Sequence, residues 1–194
     1  MRNLSLLITI ITFCIFTVAG QDMFPARQLT TEQAQEGFAS FSPDGKYLVY
    51  QYTDLTDTSG KNGLWIIRPD GTDTRQIFSG IAEHSRWSPD GEYIVFDADT
   101  GNSIKMIPST GGDAILFLPD SVRIQNGGLP CWSPDGSQIA FLERKGISVC
   151  TWNMATGELK SLFSQEGKLP LPGGWWNDGT GILVALMDRQ TRKS

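Results

Sequence analysis

A chain of 194 residues that is 40% hydrophobic, 10% aromatic and 19% charged has apolar side chains enough for one domain with a buried core. Its net charge of −5 and lack of any basic run exclude a nucleic-acid partner, and a single histidine excludes a metal site built from several of them. Twenty-one glycines and six tryptophans, without a low-complexity tract, lean towards a turn-rich β protein.

The first element reads as an export signal, residues 1–20. MRNLSLLITIITFCIFTVAG places Arg2 before an apolar stretch from Leu4 to Ala19, with small residues closing it. Val18 and Gly20 suit the −3 and −1 positions of a signal-peptidase site, so cleavage is expected before Gln21. Glutamine there, in place of cysteine, argues against a lipid anchor. The stretch is about 16 residues, short of the ~20 that a spanning helix needs. Loss of Arg2 with the signal leaves 15 basic against 21 acidic side chains, a net charge of −6. No later stretch is apolar enough to span a bilayer, so the mature chain is expected outside the membrane, periplasmic or secreted.

Residues 21–36 form an N-terminal segment, and from residue 37 the chain repeats one phrase. It reads FSPDGKYLVY at 41–50, WSPDGEYIVF at 87–96, CWSPDGSQIAF at 131–141 and, degenerate, WWNDGTGILVAL at 175–186. The turn aspartates Asp44, Asp90, Asp135 and Asp178 stand 46, 45 and 43 residues apart. Proline presets the turn, aspartate bonds back to the backbone, and glycine takes the left-handed φ that follows. Such a turn joins two antiparallel strands. The first strand ends in Phe41, Trp87, Trp132 or Trp176. The second carries Leu48, Ile94, Ile139 and Ile182 at one position and Tyr50, Phe96, Phe141 and Val184 two residues on, on the same face.

Third strands are expected at 63–68, 103–108 and 147–152, and fourth strands at 74–78, 114–118 and 159–163. Four antiparallel strands in each ~45-residue repeat is the signature of a β-propeller blade. The fold class is therefore all-β, a propeller with about three and a half blades: roughly 37–80, 81–121, 122–165 and an incomplete 166–194. The aromatics before the turns are read as inter-blade core. Cys131 and Cys150 fall on the first and third strands of one blade, ~9.5 Å apart. A disulfide wants Cα atoms within about 7 Å, so two free, buried thiols are expected.

The phrases resemble the WD40-like β-propeller repeat of the TolB family, and the resemblance covers most of the mature chain. It implies a periplasmic or secreted scaffold that binds a protein or another envelope component. ARQLT (26–30) resembles TRQIF (74–78) and is read as a strand that completes the last blade and closes the ring. The fourth repeat offers only two strands. The chain is read as the truncated product of a longer propeller gene; the other reading is an arc that closes by self-association.

No G-x-S-x-G nucleophile elbow and no glycine-rich phosphate loop occurs. DADTGN (97–102) resembles a calcium loop but lacks the glycine at its sixth position and has Pro108 at its twelfth, so it is read as a hairpin loop. Neither a catalytic residue nor a cofactor is expected. Ligands of propellers meet the segments that lead into first strands. There Glu83, His84 and Arg86 form the most polar cluster, with no like residues at the matching positions: Arg86 is matched with Ser40, Cys131 and Trp175, and His84 with Phe38, Leu129 and Gly173. Solvated loop polarity is the bland account of them. Glu83, His84, Arg86 and Trp175 are the candidate binding residues. The expected function is a non-enzymatic scaffold. The alternative is the propeller portion of a secreted enzyme, of the prolyl-oligopeptidase or oligogalacturonate-lyase kind, whose catalytic part is missing here.

Overall fold

Each repeat is pinned by its turn. In blade 1 the Ser42 hydroxyl donates to Asp44 Oδ1 at 2.7 Å, and that oxygen accepts the Lys46 N–H at 3.1 Å. The Gly45 N–H closes the turn on the Ser42 carbonyl at 2.9 Å. The same bonds recur around Ser88–Gly91 and Ser133–Gly136. The four turn glycines have φ between 70° and 76°, a region that a side chain disfavours. Pro43, Pro89 and Pro134 each lean on the turn glycine of the next repeat.

The computed structural model describes residues 28–31, 34–116, 118–119, 121–122, 124, 128–143 and 147–189. These form three four-stranded sheets and one two-stranded sheet, all antiparallel. Blade 1 has the order β1 (Gln35–Phe41), β2 (Leu48–Thr53), β3 (Gly63–Ile67), β4 (Arg75–Ser79). Blade 2 follows as β5 (Ala82–Trp87), β6 (Tyr93–Ala98), β7 (Ser103–Pro108), β8 (Ile115–Leu116). Blade 3 is β9 (Cys131–Trp132), β10 (Gln138–Glu143), β11 (Ser148–Asn153), β12 (Leu159–Phe163), and the fourth sheet is β13 (Lys168–Trp175) with β14 (Ile182–Asp188). The first strands pack on one another, β1 on β5, β5 on β9 and β9 on β13, so they line the common axis of the arc.

Alternation along the second strands assigns each face to a neighbour. Ile94 and Phe96 meet Val49, Leu64 and Ile77 of blade 1. Ile139 and Phe141 meet Val95 and Ile104 of blade 2. Leu48 and Tyr50, the equivalents in blade 1, lie with Tyr52 and Ile67 on the face turned away from blade 2, where Leu29 and Ala34 pack against them. The expected propeller architecture is therefore present, with its core between the blades.

Particulars differ from the sequence reading. Trp175, not Trp176, is the equivalent of Trp87 and Trp132: it pairs with Ile182 as they pair with Ile94 and Ile139. Trp176 occupies the turn-serine position, donating its N–H to Gly181 and accepting that of Gly179, and its side chain is 59% exposed. The doublet of tryptophans shifted the register by one. Accordingly Gly174, not Trp175, precedes the aromatic as Arg86 and Cys131 do. Of the expected strand at 114–118, Ile115–Leu116 form β8, and residue 117 lies outside the described residues. Residues 97–102 form the β6–β7 hairpin, as read. Cys131 and Cys150 are both buried and unbridged. The export signal and residues 26 and 27 of the ring-closing segment lie outside the described residues, and Gln28–Thr30 pair with no described strand. Among the described residues no helix is long and apolar enough to cross a membrane.

Candidate functional site

The axial strands carry a repeated irregularity. Pairing jumps from Gly37 to Ser40 in β1 and from Glu83 to Arg86 in β5. Phe38 and His84, inside those jumps, take φ of 50° and 51°, and Leu129 before β9 takes 52°. Left-handed backbone at a residue with a side chain costs about 1–3 kcal/mol and persists where the surroundings enforce it. It also turns the side chain out of the strand's alternation. The same left-handed backbone thus recurs at the equivalent position, three residues before the strand-ending aromatic, in blades 1, 2 and 3.

His84 is held from behind. Its Nδ1 lies 2.7 Å from Oδ2 of Asp97, a β6 residue with 1% exposure. Asp97 Oδ1 also accepts the Gly128 N–H at 2.8 Å, and Oδ2 accepts the Leu129 N–H at 3.2 Å. A carboxylate only accepts, so Nδ1 carries the proton and Nε2 is the nitrogen left to face a partner. Gly128 permits the approach: a Cβ there would stand 2.6 Å from Ile104 Cδ1. On its other side the His84 ring meets Phe38, with centroids 4.2 Å apart and planes tilted by 51°. One connected line thus runs from Phe38 in blade 1 through His84 and Asp97 in blade 2 to the segment entering blade 3.

Of the residues singled out from sequence, Glu83, His84 and Arg86 share β5. Glu83 stands opposite Asp97 in the ladder. Arg86 donates from Nη1 to its neighbour's carbonyl, Ser85 O, at 2.9 Å. Burial pushes the Cys131 thiol up to about 11, against the pull of the Arg86 charge. Trp175 belongs to a different junction. Its Nε1 donates to Cys131 O at 3.2 Å, one blade back, just as Trp87 Nε1 donates to Ser40 O at 3.0 Å. Asp97 was weighed only as the first residue of the DADTGN loop and Phe38 only as the match of His84, although Asp97 carried a further signal. In YIVFDA it falls on the apolar face with Val95, where a lone acid needs partners. Among the described residues no three His, Cys, Asp or Glu side chains converge as a metal site would require.

This architecture has solved counterparts. TolB of Acinetobacter baumannii superposes with a TM-score of 0.65 at 18% identity, over 84% of this chain and 43% of that one. The fold is that of the TolB β-propellers. A protein described as a TolB from Agrobacterium tumefaciens gives 0.60 at 22% identity, over 81% of this chain and 56% of its own. An oligogalacturonate lyase in complex with manganese gives 0.54 at 16%, over 71% and 39%. Two curated relatives match in sequence. An uncharacterised protein of Agrobacterium fabrum is 24% identical over 131 residues, 59% of this chain, and a WD repeat-containing protein 26 homolog of Arabidopsis thaliana is 29% identical over 58 residues, 30% of this chain. The chain spans 42% and 10% of their respective lengths. No family model matches it.

Proposed function

We propose that the chain is an exported, non-enzymatic TolB-like propeller scaffold that binds a protein or another envelope component at its axial face. The observation that carries this reading is the Phe38–His84 pair. Phe38 is 44% exposed although its neighbours are ordered strand, and His84 is fixed by a buried carboxylate. A half-exposed aromatic beside an imidazole oriented by a buried carboxylate suits a protein-contact anchor. Glu83 and Arg86 flank it on the same strand.

The test uses full-length protein, immobilised and exposed to an envelope extract of the source cells. One envelope component should be retained, at least tenfold less by the Phe38→Ala/His84→Ala variant, a loss of about 1.4 kcal/mol. Equal retention by both would sink the axial-face reading. Export is read from the intact mass of the native product in the exported fraction, which should begin at Gln21; a mass that retains residues 1–20 would overturn cleavage. The second reading, the propeller part of an enzyme, draws on the lyase and on a puromycin hydrolase of the same fold. A histidine oriented by a carboxylate, as His84 is by Asp97, is also the arrangement of a general base.

A further inference from the structure

Blade 2 has a four-stranded neighbour on each side, and its first strand, β5, packs on β1 to one side and on β9 to the other. On that strand Arg86 is half-buried, and its side chain makes a single hydrogen bond, from Nη1 to Ser85 O. Among the described residues no carboxylate pairs with it. Asp97 is committed elsewhere: Oδ1 takes the Gly128 N–H, and Oδ2 takes the Leu129 N–H and the His84 Nδ1–H. The Cys131 thiol feels the Arg86 charge without balancing it, because burial pushes that thiol up to about 11. Ser40, Cys131 and Gly174, the matching residues of the other sheets, are uncharged. A guanidinium stays charged at any working pH, and a charge partly withdrawn from water wants a counter-ion.

His84, on the same strand, supplies a group of the other kind. With Nδ1–H held by Asp97, its Nε2 is left as an acceptor, and it meets no partner among the described residues. The side chain is 21% exposed. Against it lies the Phe38 ring, itself 44% exposed. Residues two apart on a strand are at most about 7 Å from one another. Over that length the last residue of a polypeptide carries a complement to all three groups on one Cα: a carboxylate, an N–H and a side chain.

We propose that the axial face binds the carboxyl terminus of a partner polypeptide, with the terminal carboxylate on Arg86, the N–H of the last residue on His84 Nε2 and its apolar side chain against Phe38. This partner chemistry deepens the axial-face reading above and depends on it. A planar carboxylate fits the guanidinium fork through two parallel N–H···O bonds. A phosphate fits less well. Arg86 is one cation on a strand that also carries Glu83, with Asp97 opposite, and those carboxylates repel a dianion more than a monoanion. An acidic side chain within a chain supplies the carboxylate, but not the apolar group on the same residue. Capture of a terminal carboxylate is a recurring mode of peptide recognition.

The test is fluorescence anisotropy of the full-length protein with three short glycine-serine peptides, each labelled at its amino end and ending in leucine. One has a free terminal carboxylate, one a terminal amide, and one a terminal amide with a glutamate inside the chain. Saturable binding of the free acid is expected, with both amides at least tenfold weaker. Arg86→Gln should weaken the free acid at least tenfold and leave the amides as they were, and Phe38→Ala should weaken all three. The comparison of acid with amide on the unaltered protein keeps the test sound if a variant folds poorly. Absence of saturable binding, equal binding of acid and amide, or recovery of binding by the glutamate amide overturns the proposal. The axial-face reading falls on other ground, equal retention of an envelope component by the Phe38→Ala/His84→Ala protein, and it survives a failure of the peptides.

Discussion

Strands β4 and β12 have kindred sequences and different surroundings. Ile77 of the first is buried beneath the turn of the next blade, while every residue of β12 is exposed. The difference teaches where this protein keeps its stability. A blade has no core of its own, and a side chain becomes core only when the neighbouring sheet covers it, which makes the junction between repeats the energetic unit. The contrast extends to the axial line, where Asp97 reaches into blade 3 while its counterparts Gln51, Leu142 and Ala185 carry no charge.

The sharpest way to break the comparison is to truncate equivalent aromatics. Phe96→Ala at the covered junction should cost about 3–5 kcal/mol, whereas Phe163→Ala at the open one should stay within about 1 kcal/mol, both read by urea unfolding. Comparable losses would mean that β12 is covered in solution. Nearly as large an effect is expected from Asp97→Ala, which strands the Gly128 and Leu129 amides and unseats His84. A loss of about 3 kcal/mol should accompany faster amide exchange at those two residues. Unchanged exchange would remove Asp97 as the tie between blades 2 and 3.

A smaller difference separates two tryptophans. Trp87→Phe loses the bond to Ser40 O and should cost about 1 kcal/mol, while Trp132 Nε1 finds no acceptor among the described residues, so Trp132→Phe should cost less. Equal costs would show that the two junctions are alike. The smallest effect belongs to the turns. The Ser133 hydroxyl, then the Ser137 N–H and hydroxyl, hold the Asp135 carboxyl down at about 2, against ~3.9 in the unfolded chain. Between those values the unfolded chain binds more protons, so the stabilisation is complete above pH ~4 and fades as pH falls towards 2. Asp135→Asn should flatten the pH dependence of the unfolding midpoint in that window, and an unchanged slope would deny the turn bonds their role.

Much of the fold was legible because turn chemistry is local. Ser-Pro-Asp-Gly fixes its own bonds, and the strand that follows announces its two faces by alternation. Where the local phrase degenerates, legibility failed: WWNDG offered two tryptophans for one position, and only the Trp175–Ile182 pairing decided between them. The candidate site was half legible. His84 stood out as a polar residue at a repeated position, but Phe38 was noted only as its match in blade 1, because a sequence read as regular strand does not show the left-handed bulge at both residues.

The sequence by itself determined the repeat, its four-stranded plan and the free Cys131 and Cys150; of the four aromatics it assigned to the inter-blade core, Trp87 and Trp132 pack there while Phe41 and Trp176 are exposed. These rest on contacts between residues close along the chain or at a fixed period. The tertiary structure alone decided that Asp97 joins His84 to a blade some thirty residues on, that Trp175 is spoken for by Cys131 O, and that β12 faces an open groove. Each depends on how one sheet seats against the next, and burial and hydrogen-bond partners across such a seat belong to neither strand's sequence alone.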